Sequence, residues 1–453
     1  MNKNESLSVF VVGKGGREHA LVHALAQSPL VGKLWCANGN PGIAATKLTT
    51  GRLVYCPTIE EHGELLATAV RERMDLTIFG GEEHLMAGLG DAFRIHGLNV
   101  FGPGYRGANL EGSKMYAQRF AERHGLPFAV GECFVSNMHD AFEYAESLDY
   151  RCVVKASGPC LGKGVKVCHN VSEVEEALRL MIVDRKFGTA GQNIVIQELL
   201  EGQELSLHIL SDGVNWRLLP IAQDHKRLLG DNLGDMTGGM GTYSPHPTIT
   251  TSDLEKIAAE IMPKFLEGCR RDSIVFQGVL FFGLMVTADG VKILEINVRF
   301  GDPEAQAILP RIKTDMVELL LATATGRLAE VPLEVYEDLA TVNVVMVSAG
   351  YPGNYNKGFQ ITGIESAEKI LGIKVYHAGT AIERGVLVTN GGRVLSVCSC
   401  ARDLKTAHER AYHAVELIKF SGAYYRRDIG RQVRKATYDG YTPQLAPYRL
   451  QHE

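Results

Sequence analysis

The first hundred residues place the tightest limit on the fold. From Ser8 to Phe101 short β-branched or apolar runs alternate with helical stretches, with strand candidates at Ser8–Val12, Leu34–Ala37, Asp75–Phe79 and Asn99–Phe101. Such alternation demands crossover connections, and therefore a parallel sheet with helices on its faces. Two of these strands run into glycine-rich turns, Gly13-Lys14-Gly15-Gly16 and Gly80-Gly81-Glu82-Glu83. Both turns fall at carboxyl ends of strands, where open α/β sheets bind ligands.

The texture changes beyond Gly112. Strands are expected at Val153–Ala156, Val165–Cys168, Ile194–Leu199 and Leu205–Ser211, with a helix over Ser172–Ile182. A hairpin, Val279–Val286 and Val291–Ile296, turns through Asp289-Gly290, a pair tolerant of positive φ. Helical periodicity returns at Asp315–Ala324, and a third segment runs from a strand at Thr341–Val347 to a long helix at Leu404–Ile418. The 453 residues suggest about three domains. We expect 1–111 to form an N-terminal α/β domain, 112–329 a central α+β domain, and 330–453 a C-terminal domain with a tail.

Composition removes several function classes. The formal charge of −5 offers no basic excess to hold a nucleic-acid backbone. The start is polar, and Val9–Val12 is too short for a signal-peptide core before Gly13. The longest apolar run, around Gly278–Val286, is shorter than the roughly 18 residues a spanning helix needs. Nine scattered cysteines without a C-x-x-C pair suggest reduced thiols in a cytoplasmic protein; Cys398 and Cys400 read as small buried strand residues.

Three segments carry possible chemistry. Gly13–His19 follows a strand and opens a helix, so its backbone amides can receive a phosphate, with Arg17 and His19 adding charge. A dinucleotide fingerprint needs glycine where Glu18 stands, which disfavours a nicotinamide enzyme. The second glycine loop, Gly158–Gly164, lies between two strands and has Gly164, not Ser or Thr, after Lys163, so it is no P-loop. It fits a hairpin loop closing over triphosphate, with Lys155 as a fixed counter-charge. In Glu295-Ile296-Asn297, period-two geometry puts two oxygen-bearing side chains on one face, suited to magnesium alongside phosphate. Arg299 follows, able to grip a carboxylate or phosphate bidentately, or to pair with Asp302.

Taken together and in order, these segments resemble the glycinamide ribonucleotide synthetase (phosphoribosylamine–glycine ligase) family of the ATP-grasp superfamily. The residues that carry the resemblance are GKGGREHAL (Gly13–Leu21), NPG (Asn40–Gly42), LEGSK (Leu110–Lys114) and VVKASGPCLGKGV (Val153–Val165). To these are added QDHKR (Gln223–Arg227), TGGMGTYSP (Thr237–Pro245), EINVRFGDPE (Glu295–Glu304) and GAYYRRDIG (Gly422–Gly430). Ser157, Gly81 and Asp235-Met236 depart from the family pattern, and Gln277–Thr287 lacks the acid that many ATP-grasp enzymes carry there.

The resemblance implies an N-terminal α/β domain, an ATP-grasp pair whose lid covers about 126–199, and a small C-terminal α+β domain. It implies ATP with Mg2+ or Mn2+, and condensation of glycine with 5-phosphoribosylamine through glycyl phosphate, in purine synthesis. By resemblance Lys114, Lys155, Gly162, Lys163 and Gly164 meet the ATP phosphates, Glu198 and Glu204 the adenine and ribose, and Glu295 and Asn297 the metal. Arg299 and Asp224, with Lys155, form the catalytic set. Gly13, Gly15, Gly16, Arg17, Glu18, His19, Asn40, Lys226, Gly238, Gly239 and Gly241 complete the substrate site. A monomer or weak homodimer is expected, without nucleic-acid or membrane partners. The match runs out near Gly430, so fused pathway domains are not expected. Another purine-pathway ATP-grasp ligase, or a binding protein without turnover, stays open as an alternative.

Overall fold

The computed structural model describes residues 6–160 and 164–431. In chain order its first four strands are β1 (Leu7–Val12), β2 (Val31–Ala37), β3 (Leu76–Phe79) and β4 (Val100–Phe101). They form an all-parallel sheet in the order β2-β1-β3-β4. Four of the six β1 residues, Val9 to Val12, have no exposed surface, as expected of a strand covered on both faces. The sheet type follows the alternation read from the sequence.

Next come β5 (Gly131–Val135), β6 (Cys152–Ala156), β7 (Val165–Cys168) and β8 (Asn193–Glu198), a four-stranded antiparallel sheet in the order β5-β8-β6-β7. Its helix runs over Val171–Leu178 and then widens to a π turn at Arg179–Val183, within the span expected to be one helix. This unit has its own core, built on Phe134, Val154, Leu178, Met181 and Ile196. The hairpin β6–β7 is therefore braced by packing separate from the central core.

The central sheet comprises β9 (Gln203–Ser211), β10 (Trp216–Leu218), β15 (Gly278–Thr287) and β16 (Gly290–Asn297), in the order β10-β9-β15-β16. The short strands between them are β11 (Gln223–Asp224), β12 (Arg227–Leu229), β13 (Leu233–Met236) and β14 (Gly241–Ser244). One core cluster joins Phe79, Phe93 and Phe120 to Phe265, Phe276, Phe282 and Ile296, so the parallel sheet and the central sheet share packing.

Last are β17 (Ala340–Val347), β18 (Ile373–His377), the hairpin β19 (Thr380–Glu383) and β20 (Val386–Thr389), and β21 (Arg393–Ala401). The sheet here runs β11-β14-β17-β21-β18. Two of its strands come from before residue 245, because β14 pairs β17 from Gly241↔Val344 to Ser244↔Thr341. Hydrogen bonding thus crosses the division expected near residue 330. Cys398 is buried and donates its Sγ–H to Gln306 O, and all nine cysteines are free. Among the described residues no helix is long and apolar enough to cross a membrane.

Five histidines are buried among the described residues: His19, His208, His225, His246 and His377. Burial pushes His208 to about 3, and His225, His246 and His377 to about 4. A histidine depressed in the fold takes its proton preferentially when unfolded, so its stabilising contribution is lost as pH falls from 6.5 toward its folded value. His208 accepts from Gly301 N–H through Nε2, so glutamine there keeps an acceptor but does not titrate. Urea melts should show the stability difference between wild type and His208→Gln moving against wild type by about 2 kcal/mol from pH 7 to pH 5. A pH-independent difference contradicts the neutral buried imidazole.

Candidate active site

The hairpin β15–β16 delivers the E-x-N strand end to the floor of a cavity of about 690 Å³. Glu295 and Asn297 both line it, as do Lys114, Lys155 and Lys226. Lys226 Nζ lies 3.5 Å from Glu295 Oε1, and Lys155 Nζ donates to Leu294 O at 3.0 Å. Burial alone would push Glu295 up, but Lys226, Lys114, Lys155 and Arg299 override it and hold the carboxyl at about 2. Burial brings Lys155 down to about 8, against the opposing pull of Glu295. An ionised carboxylate beside an amide oxygen on one face is the hard-oxygen donor set that magnesium takes, so the residues fit the metal.

A helix start holds Lys114. Lys114 opens the helix Lys114–His124, capped by Ser113, whose Oγ accepts from Tyr116 N–H. The same helix start docks on the end of β6: Lys114 N–H donates to Ser157 O, Met115 N–H to Ser157 Oγ at 3.1 Å, and Ser113 Oγ lies 3.1 Å from Ser157 Oγ. Ser157, a departure from the family pattern, thereby serves as a hydroxyl latch between the two lysine-bearing elements. Apolar side chains including Phe128, Val153, Val167, Leu205, Leu284 and Met285 wall the adjoining space, with Glu198 and Glu204 on its rim. Glu198 Oε1 accepts from Val130 N–H at 2.8 Å. Gly164 lines the cavity, whereas Gly162 and Lys163 lie outside the described residues.

Arg299 sits between two carboxylates, with Nη2 2.7 Å from Glu111 Oε1 and Nε 3.5 Å from Glu82 Oε2. Asp302, the partner considered for it in the sequence, pairs instead with Arg393 Nη2 at 3.2 Å. Asp224 and Glu304 share the cavity, and burial together with their mutual repulsion pushes the Asp224 carboxyl well up. Burial likewise raises Glu304, against Lys226.

The first glycine loop meets the cavity at one edge. Of its residues only Arg17 lines the cavity. Glu18 turns inward, accepts Gly15 N–H at 2.5 Å and holds Arg17 Nε at 2.6 Å. Gly13 and Gly80 are glycines for its sake: a Cβ on Gly80 would lie 2.1 Å from Glu18 Oε1. Gly16 packs against Gln306. His19 is buried, accepts His377 N–H through Nδ1, and is held well below its usual value by burial, so it offers no charge to a ligand. The Asn40 side-chain amide donates to Lys14 O and His377 O.

The C-terminal sheet supplies a wall that local sequence motifs could not disclose. Arg393, Tyr351, Pro352 and Tyr355 line the cavity. Arg393 Nη1 donates to Gly238 O at 2.6 Å, and Gly238 N–H donates to the Tyr351 hydroxyl at 3.0 Å. Gly238 lines the cavity, while Gly239 and Gly241 are positions of close approach, facing Pro303 and Asn343 O. The GAYYRRDIG segment grips the hairpin that carries Lys226: Arg426 donates to Arg227 O, and Asp428 accepts from Asp231 N–H.

Three family models together cover most of the chain: the phosphoribosylglycinamide synthetase N domain over residues 7–111, its ATP-grasp (A) domain over 112–305, and its C domain over 341–432. The chain belongs to the phosphoribosylglycinamide synthetase family. It is 41% identical over 425 residues to phosphoribosylamine–glycine ligase of Caldanaerobacter subterraneus subsp. tengcongensis, covering 93% of this chain and 99% of that one. It is 44% identical to the trifunctional purine biosynthetic protein adenosine-3 of Gallus gallus over 93% of this chain, but spans 42% of that longer protein. The crystal structure of phosphoribosylamine–glycine ligase from Thermotoga maritima matches with TM-score 0.80 at 32% identity, covering 93% of this chain and all of that one. A biotin carboxylase domain from Hydrogenobacter thermophilus, solved with magnesium ADP, shares the fold at TM-score 0.67 and 14% identity.

Gly80→Ala should cost about 1–3 kcal/mol in chemical denaturation by overpacking Glu18, whereas the neighbouring Gly81→Ala, with nothing nearer than 3.5 Å, should stay within about 0.5 kcal/mol. Equal effects at the two positions contradict the inward placement of Glu18.

Proposed function

We propose that this chain joins glycine to 5-phosphoribosylamine at the expense of ATP, giving glycinamide ribonucleotide, ADP and phosphate. The observation that carries the reading is one cavity with cations contributed from three directions: Lys114 and Lys155 beside the apolar wall, Arg299 and Lys226 at the strand end, Arg17 and Arg393 from the N- and C-terminal sheets. Two phosphorylated substrates and a carboxylate need that distribution, and phosphoryl transfer asks for positioning and charge neutralisation rather than a nucleophilic side chain.

The apolar wall takes adenine, with Glu198 and Glu204 toward adenine and ribose, and Lys114, Lys155 and the Gly158–Gly164 loop toward the phosphates. Arg299 and Asp224 receive glycine, whose carboxylate oxygen attacks the γ-phosphorus to give glycyl phosphate and ADP. The amine of phosphoribosylamine then forms the bond to the acyl carbon and phosphate leaves. Arg17 and Arg393, both close enough to Asp302 to lower its carboxyl against burial, take the ribose 5-phosphate in this reading. Glu295 and Asn297 would hold magnesium, which supplies charge neutralisation for the phosphates. Such a reaction belongs to purine synthesis, and its home is the cytoplasm.

The test is ADP release with magnesium and ATP, omitting glycine and phosphoribosylamine in turn. Release should require both, with glycinamide ribonucleotide found by mass. Release supported by formate or bicarbonate instead overturns the proposal in favour of a sister ligase. Glu295→Ala should lower kcat by about a thousandfold or more while circular dichroism stays unchanged; normal turnover in the folded variant contradicts the metal role.

A further inference from the structure

We propose that Glu111 is a positioning residue, which fixes the Arg299 guanidinium and the backbone of the strand end for the chemical step. The inference rests on the ligase reading of Arg299. Glu111 comes from the parallel-sheet side of the molecule, in the last turn of the helix Tyr105–Gly112, yet both its oxygens act on the segment after β16. Oε2 accepts Val298 N–H at 2.7 Å, and Oε1 meets Arg299 Nη2 at 2.7 Å.

The other partners of Arg299 are looser: Asn297 Oδ1 at 3.2 Å, Phe300 O at 3.4 Å and Glu82 Oε2 at 3.5 Å. Glu111 is the nearest of these groups, an ion pair that draws the Nη2 end of the guanidinium toward the helix Tyr105–Gly112. Local physics opposes a carboxylate where Glu111 sits, because the carbonyl end of a helix favours cations. Burial raises the Glu111 carboxyl to about 7, outweighing Arg299 and Val298 N–H, which pull it down. With its side chain 11% exposed, the carboxylate is screened from water and the pair is not a loose surface contact.

The placement also links two ends of the reaction. Glu111 and Lys114 flank Gly112-Ser113 in the LEGSK segment, so one short stretch holds Arg299 on one side and presents a lysine to the cavity on the other. A shift of the Arg299 fork is then felt in the chemical step and not in nucleotide binding, which depends on Lys114, Lys155 and the apolar wall.

The test is a double-mutant cycle with full-length protein, pairing Glu111→Gln with Arg299→Lys. Glutamine keeps an oxygen for Val298 N–H and loses the charge. Glu111→Gln should lower kcat about tenfold or more, leave the KM for ATP within about twofold, and cost little further in the Arg299→Lys background. Glu111→Asp, which restores the charge, should recover part of kcat. A crystal structure of Glu111→Gln should show the guanidinium displaced. An unchanged kcat, or losses that multiply across the cycle, overturns the proposal. If wild type makes no glycinamide ribonucleotide, the ligase reading has failed, and Glu111 is judged by the crystal structure alone: an unmoved guanidinium overturns its role.

Discussion

Burying like and unlike charges together is the constraint on which this structure turns. Glu295 stays ionised only because Lys226, Lys114, Lys155 and Arg299 surround it, and Arg299 is held in turn by Glu111 and Glu82. Removing one partner from such a set leaves an uncompensated charge, which costs far more than the pair contributes. Each member must therefore be fixed by a framework of its own. Lys155 stands on β6, Lys114 on a capped helix start, Glu295 on β16, and Lys226 beside a hairpin tied down by Arg426 and Asp428.

That requirement explains why sheets of different character meet at one cavity. The parallel sheet contributes Arg17, Glu82 and Glu111 through its connecting segments, the central sheet contributes the metal-suited strand end, and the C-terminal sheet contributes Arg393 and Tyr351. Strands β11 and β14 stitch the last two together, so Asp224 is part of the sheet that carries Arg393. The polar seam beneath, with Asn343 reaching Thr242 and Pro303 O, ties this junction through buried hydrogen bonds.

Periodicity and motif order carried much of this arrangement at the level of sequence. Strand alternation reported the parallel sheet, and the E-x-N spacing placed Glu295 and Asn297 on one cavity face, because both are consequences of local geometry. Pairings across long separations were not legible. Nothing local says that Arg299 meets Glu111, 188 positions earlier, rather than Asp302 nearby, or that Arg393 closes the site. The packing of Glu18 was hidden for the same reason: only the folded chain shows it filling the space that Gly13 and Gly80 leave. The inward-facing acid is visible in sequence as a glycine fingerprint broken at its third position, a signal that disfavours a nicotinamide cofactor without revealing what the side chain does.

The central claim is that the cavity activates a carboxylate by phosphorylation before the amine attacks. It is tested most directly by following oxygen. With glycine labelled with 18O in its carboxylate, turnover with ATP and phosphoribosylamine should place one labelled oxygen in each inorganic phosphate released, because the oxygen that bonds phosphorus departs with it. Unlabelled phosphate formed alongside glycinamide ribonucleotide would contradict the acyl-phosphate route, and with it the assignment of Arg299, Lys155 and Glu295 to that step.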